Sequence, residues 1–388
     1  MKCPMLVPAV VMLLAGLVPA WAWGIDFGIN IHRGGALDAQ VAALMQARNF
    51  RSARMDLPWD ADATDLRDQA SRIRANGGTV EVSLQVAFQW DASCSTDLSG
   101  IEQQAYAQAV PAIDGVKDLV QDFELLNETQ LRPEIQREVP WNSAGSATAP
   151  YVDKPCVAAL VAALRGMSRA AADVRASSGL PLRTIVGVVG RDFGFLTFLR
   201  QQGVQWDVTG FHIYPLASQR SLLSDAWYGA GGPLAQLAAF GKPVRINEIN
   251  CGEIYQPDYG TPSSIETCLR GLARHLNDLI AQQAAVIESV SFYALFDEPE
   301  EPAPENRFGL MQDIDHPKLH LFLATAFAGG QLTAGERQAL DDLGLIAKPG
   351  AIAAACRRVL PQRAKPLGRR NACGSRAVPI AVAHGSPP

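Results

Sequence analysis

Residues 122–190 open with DFELLNE (122–128), continue through VAALVAALRGMSRAAADVRA (157–176) and end in RTIVGVVG (183–190). The outer segments are short, apolar runs of the kind that form buried strands. The middle segment repeats Ala, Leu and Val near the 3.6-residue helical period. Strand, helix and strand in that order make a crossover, which joins parallel strands with a right-handed turn.

The same alternation extends in both directions. Strand patterns fall at Ile25–His32, Arg51–Asp56, Thr79–Ala87, Asp122–Glu128, Arg183–Gly190, Asp207–Tyr214, Pro243–Glu248 and Ser289–Phe296. Helical patterns fall at Leu37–Arg48, Ala63–Ala75, Ile101–Leu119, Val157–Ala176, Leu222–Phe240 and Ser263–Gln283. Eight such units closing on themselves predict an α/β fold, the (β/α)8 TIM barrel, over residues 23–360. The competing architecture is an open doubly wound sheet. It usually carries a glycine-rich phosphate turn after its first strand, whereas this strand runs into Asn30-Ile31-His32-Arg33-Gly34-Gly35. Two segments lie outside a minimal barrel. Thr129–Lys154 is a long connection after strand four, expected to be structureless and functional. Residues 361–388 are basic and read as a loosely ordered tail.

Composition bounds the function. Of 388 residues, 48% are hydrophobic and 19% charged, which builds a core. A net charge of −5 argues against a nucleic-acid partner, because phosphate binding needs surplus Lys and Arg. The apolar run Met5–Val18 follows Lys2 and precedes Ala20-Trp21-Ala22. It is shorter than the ~20 residues that span a bilayer. Residues 1–22 therefore read as a signal peptide, which predicts a secreted or periplasmic protein with no membrane span in the mature chain. Six cysteines then remain: Cys94, Cys156, Cys251, Cys268, Cys356 and Cys373. An even number in an oxidising compartment suggests disulfides, whose connectivity spacing alone does not choose.

In a barrel of this kind, residues at the C-terminal ends of the strands point into the active site. Strand four ends in Asn127-Glu128 and strand seven in Asn247-Glu248. Each is an apolar run closed by a carboxylate, and the two face each other across the mouth. Arg54 closes strand two, His212-Ile213-Tyr214 closes strand six, and Phe292-Tyr293-Ala294-Leu295-Phe296-Asp297-Glu298 closes strand eight.

This ordered set resembles clan GH-A of the glycoside hydrolases, retaining (β/α)8 enzymes with two catalytic glutamates. The resemblance covers roughly residues 25–330. It implies that Glu128 is the acid/base and Glu248 the nucleophile. It implies that Arg54 and Tyr214 hold the nucleophile, that Asn127 meets the sugar 2-hydroxyl, and that His212 lines the site. His32 and Phe296 complete the substrate-lining set. The clan's usual strand-eight Trp is replaced here by Phe296, and the Phe296-Asp297-Glu298 ending with the later Glu305-Asn306-Arg307-Phe308-Gly309-Leu310 looks similar to families around 39 and 5. Retention needs the two carboxyl groups about 5–5.5 Å apart.

Sugar rings stack on aromatic faces. Trp59 and Trp90 are the foremost subsite candidates. Trp141, Trp227, Tyr228 and Tyr255 also fall in loops that a barrel puts on its upper face. Cys94–Cys156 and Cys251–Cys268 lie in the same loops and are expected to brace the cleft, with Cys356–Cys373 pinning the tail.

These expectations have rivals. Glu128 can be an acid at a helix N-terminus, and Glu248 a salt-bridge partner of Arg54. His316 and His320 sit at helical spacing but lack a third ligand, so no metal is implied, and no cofactor. Asp297 and Glu298 can be a solvated loop with Glu300 and Glu301. The reading that follows is a retaining glycosidase acting on a β-linked oligo- or polysaccharide. Its alternative is an inactive carbohydrate-binding barrel. A phosphate-binding lyase or isomerase fits poorly, because the loops after strands seven and eight are acidic.

Overall fold

The computed structural model describes residues 24–32, 38–57, 63–87, 94, 97–282 and 285–345. Eight parallel strands pair in chain order. They are β1 (Asp26–Ile31), β2 (Ser52–Leu57), β3 (Thr79–Leu84), β4 (Asp122–Leu125), β5 (Arg183–Val189), β6 (Val208–Ile213), β7 (Val244–Ile249) and β8 (Ile287–Phe292). The sheet closes because β1 also pairs with β8, from Asp26 opposite Ser289 to Ile29 opposite Phe292. That closure decides for the barrel over the open doubly wound sheet.

The helices are α1 (Asp38–Arg48), α2 (Thr64–Ala75), α3 (Leu98–Val116), α4 (Pro133–Glu138), α5 (Pro155–Ser178), α6 (Gly194–Gln201), α7 (Gly232–Ala238), α8 (Pro262–Ala281), α9 (Leu319–Ala328) and α10 (Ala334–Asp342). A short hairpin, β9 (Met311–Asp313) with β10 (His316–Pro317), follows the eighth strand. The apolar core lies between barrel and helices. Val80, Val82 and Leu84 of β3, with Phe123 and Leu125 of β4, are all at most 3% exposed. Their alternating partners Glu81, Ser83, Asp122 and Glu124 are buried too. Both strand faces are covered, so the strands read as almost unbroken apolar runs.

Two glycines make room inside the barrel. A side chain begun at Gly187 would sit 3.0 Å from Oε1 of Glu124, and one at Gly210 would sit 3.1 Å from Oδ1 of Asn247.

Three expectations change. The helix expected over Leu222–Phe240 is interrupted. A single turn at Ala226–Tyr228 is followed by Gly229 and Gly231 at φ of 106° and 79°, and α7 begins only at Gly232, itself at φ 73°. Glycine-rich chain in the left-handed region cannot continue a helix. The connection 129–154 is ordered rather than structureless. It holds α4 and one-turn helices at Thr129–Leu131 and Ala149–Tyr151. The buried Asp192 carboxylate ties it down by accepting from the backbone N–H groups of Asn142, Ala144 and Gly145. His316 and His320 do not share a helix: His316 is exposed on β10 and His320 buried in α9. Residues 1–22, expected to be a signal peptide, Trp59, Trp90, Cys356, Cys373 and residues 361–388 lie outside the described residues. Among the described residues, no helix is long and apolar enough to cross a membrane.

Both cleft disulfides are formed, Cys94–Cys156 and Cys251–Cys268. The first ties the loop after β3 to the start of α5, where Glu138 accepts from the N–H groups of Cys156 and Val157. The second ties the loop after β7 to α8 across 17 residues of sequence. Cross-linking a loop of that size stabilises by about 3 kcal/mol. Replacing Cys251 and Cys268 together by Ala is expected to lower the unfolding free energy by about that amount in urea titration. A non-reducing peptide map should return these two pairs; crossed pairs would refute the arrangement.

Candidate active site

The site is built on irregular backbone at the strand ends. β4 stops at Leu125, and the chain then places Leu126 at φ 65° and Glu128 at φ 43°. Left-handed backbone at non-glycine residues costs about 1 kcal/mol each and turns the side chain away from the strand's alternation. Glu128 thereby faces the mouth and keeps 27% of its side chain exposed. On β7 an extra residue does the same work. Phe211 of β6 pairs with Ile246, but His212 pairs with Glu248, so Asn247 is bulged. The bulge lets adjacent residues both point inward. Asn247 donates to Glu81, and Glu248 meets Arg54.

Arg54, 3% exposed, fixes the centre. Its Nε donates to Glu124 at 2.7 Å, and Nη1 donates to Asn30 Oδ1 at 2.7 Å and to Glu248 Oε1 at 2.9 Å. Its Nη2 donates to Asn127 Oδ1 at 2.9 Å. A guanidinium only donates, so Asn127 must turn its oxygen to Arg54 and its amide N–H₂ elsewhere. Tyr214 donates its hydroxyl to the second oxygen of Glu248 at 2.5 Å. His212 lies between three carboxylates. Its Nδ1 is 3.1 Å from Glu128 and 3.3 Å from Glu248, and its Nε2 is 3.4 Å from Glu124. The last contact is long for a hydrogen bond but well within Coulombic range.

The charges follow from these neighbours. Burial alone would raise Glu248, but His212 and Arg54, with hydrogen bonds from His212 and Tyr214, hold it down at about 2. Burial would also raise Glu124; Arg54 and then His212 outweigh it and hold that carboxyl low. For His212, burial favours the neutral ring, but Glu248, Glu124 and Glu128 lift it well above its ordinary value and keep it cationic. Burial and the Glu248 charge keep the Tyr214 phenol protonated. Glu128, His212 and Glu248 bring one donor atom each within 4.8 Å of one another. Cys251 and Cys268, which lie near His320, are committed to a disulfide.

The site therefore unites Glu128, Glu248, Arg54, Asn127, His212 and Tyr214. His32 stands at the edge, 3.3 Å from Glu298. Phe296 stands apart: it bridges Met311 and packs against the core. The first residue after β8 is instead Tyr293, edge-on to His32 at 5.0 Å and to Tyr214 at 6.3 Å, its hydroxyl 3.3 Å from Glu305. Tyr255 stands edge-on to Tyr214 at 5.6 Å and is 49% exposed. Asp297 is structural, pairing with Lys318 at 2.8 Å, whereas Glu300 and Glu301 are exposed.

Sequence reasoning missed the layer beneath. Arg245 pairs with Glu81 at 2.9 Å and Asp122 at 2.8 Å, and Arg183 pairs with Asp122 and Glu288. Asn30 donates to the backbone oxygens of Asn247 and Phe292. The available signal was a polar residue at every second position of an apolar strand, as in Asp122 and Glu124.

No family model matches the chain, and no curated protein is significantly similar in sequence. Solved structures are similar in fold. A GH10 xylanase from Bispora sp. MEY-1 gives a TM-score of 0.54 at 11% identity, over 79% of this chain and 98% of that one. The Thermobacillus composti GH10 xylanase gives 0.52 at 12%, over 79% and 98%. The family 1 β-glucosidase of Thermotoga maritima gives 0.51 at 13%, over 82% and 99%. The fold is shared. At these identities the likeness extends to architecture alone.

Removing one partner of a buried ion cluster leaves the others uncompensated, at a cost of about 3–5 kcal/mol. Glu124→Gln is expected to lose about 3 kcal/mol of stability in urea titration, because Arg54 and His212 both face that carboxylate. The depressed carboxyls contribute stability that is complete above the ordinary value of 4.5 and is lost as pH falls toward 2. The urea midpoint should therefore decline from pH 4.5 to 2, and decline less in Glu248→Gln.

Proposed function

We propose that the chain is a retaining glycoside hydrolase of clan GH-A that cleaves a β-linked oligo- or polysaccharide outside the cytoplasm. The observation that carries this reading is that one carboxyl oxygen of Glu128 lies within 4.8 Å of one of Glu248 across the mouth. Retaining enzymes hold their carboxyl groups about 5–5.5 Å apart, whereas inverting ones need at least about 6.5 Å to seat a water. Similarity in fold to xylanases and β-glucosidases supports the same class. The Cys94–Cys156 and Cys251–Cys268 disulfides support export.

The division of labour follows from the surroundings. Glu248 is buried, ionised and held by Arg54 and Tyr214, so it attacks the anomeric carbon. Glu128 is the more exposed of the two and delivers a proton to the departing glycosidic oxygen. The glycosidic bond breaks as the bond to Glu248 forms. Glu128 then takes a proton from water, which attacks the same carbon and releases Glu248. Arg54 and Tyr214 spread the charge of the returning carboxylate. Asn127, its oxygen occupied by Arg54, offers its amide N–H₂ to the sugar 2-hydroxyl. His212 orients both carboxylates from between them.

Two variants test the roles. Glu248→Gln should abolish release of reducing ends from β-linked polysaccharides, at least about a thousandfold below the parent. Glu128→Ala should lose about a hundred- to ten-thousandfold on unactivated substrates, the usual worth of acid/base catalysis. On an activated aryl glycoside, added azide should restore its turnover and yield a glycosyl azide of retained configuration. An inverted product would exclude the double displacement. Parent protein that binds polysaccharides but releases nothing would favour the binding-only barrel.

A further inference from the structure

On the Glu128 side of the mouth, two indoles flank one arginine. Gln130, two residues beyond Glu128, accepts from the Val189 N–H at 3.0 Å and donates to the Asp192 backbone oxygen at 3.4 Å. It thus clamps the turn Gly190-Arg191 at the end of β5. Trp141 lies against this turn: its indole nitrogen is 2.9 Å from where a side chain at Gly190 would start. The Arg191 guanidinium stacks over Trp227 at 5.5 Å from the ring centre. Trp141 is 46% exposed and Trp227 41%, among the most exposed large apolar side chains described.

Arg191 is positioned rather than neutralised. Its Nε donates to the Asn142 backbone oxygen at 2.8 Å, and its own N–H donates to Asn142 Oδ1 at 2.9 Å. Among the described residues, no carboxylate lies within ion-pair distance of it. The nearby acids are engaged elsewhere: Asp192 holds three N–H groups of the loop 142–145, and Asp225 accepts from the Trp227 N–H. A guanidinium held at its Nε keeps its forked ends for a planar anion. Exposed indoles on either side offer stacking faces to sugar rings.

We propose that Trp141, Arg191 and Trp227 form an outer subsite that grips the leaving-group part of a polysaccharide bearing carboxylates. The occupant rests on the glycosidase reading, because Glu128 protonates the leaving oxygen and the subsite sits on its side. Arg191 pairs with an acid group of the chain while Trp227 stacks on a ring, so an anionic β-linked polymer is held better than a neutral one of the same backbone.

The test uses the full-length Glu248→Gln protein and two soluble polymers, carboxymethylcellulose and hydroxyethylcellulose, with affinity read by titration calorimetry. Carboxymethylcellulose should bind about tenfold more tightly at low salt, and the advantage should vanish in 0.5 M sodium chloride, as an exposed charge contact requires. Arg191→Gln should remove the advantage and leave hydroxyethylcellulose binding unchanged. Trp227→Ala should weaken both by about five- to tenfold. Equal affinities, an advantage that survives Arg191→Gln, or binding to neither polymer overturns the proposal. Hydrolysis is scored separately with the parent enzyme. Cleavage without an Arg191 effect defeats the subsite alone. An Arg191-dependent preference without cleavage of any polymer defeats the glycosidase reading and leaves an anion-selective binding ridge.

Discussion

One buried guanidinium organises the barrel. Arg54 spends its donors on Glu124, Asn30, Glu248 and Asn127, residues from β4, β1, β7 and the turn after β4. Burying a charge is costly unless it is paired and hydrogen-bonded. Arg54 therefore admits few arrangements of its partners, and each partner is thereby set in one orientation. Glu248 is held ionised with one oxygen on Arg54 and the other on Tyr214. Asn127 is turned so that its amide N–H₂ points away from Arg54. The plane and fork of an arginine supply this geometry, which a lysine would not.

Arg54 is the upper end of a longer alternation of charge. Below it come Glu81, Arg245, Asp122, Arg183 and Glu288, each in contact with the next or next but one. Apolar layers are the usual filling of such barrels. Here inward glycines on β5 and β6 open space for Glu124 and Asn247. Buried ion pairs are weak sources of net stability, because desolvation offsets attraction. Their contribution here is positional: they hold the strands in a register that sets Glu128 against Glu248. The left-handed backbone at Leu126 and Glu128 is further local strain, stored where the Glu128 side chain turns toward Glu248.

Much of the architecture is legible in the sequence. Eight apolar strand patterns separated by helical ones leave few topologies, and each expected strand overlaps an observed one. The exceptions are local. The helix expected over Leu222–Phe240 looked continuous because its apolar spacing persists, yet the glycines at 229, 231 and 232 take conformations that end it. The connection after β4 reads as structureless because it is long and rich in Pro, Ser and Ala. It is ordered by Asp192, a residue about fifty positions away whose role no local pattern displays. Phe296 was the expected aromatic after strand eight because β8 looked longer than it is. The strand ends at Phe292, so Tyr293 is the ring that reaches the mouth.

What the chain determined by itself is therefore the order of elements and the identity of the strand-end residues. Both follow from hydrophobic period and from the cost of placing a carboxylate at the end of an apolar run. What only the tertiary structure decided is which of those groups meet. The bulge at Asn247 turns Glu248 inward, the left-handed turn brings Glu128 toward it, and His212 takes a place between three carboxylates. Such contacts join residues far apart in the chain, as Arg54 and Glu248 are, 194 positions from each other. They depend on the closure of β1 against β8, a constraint on the whole chain that no short stretch of sequence contains.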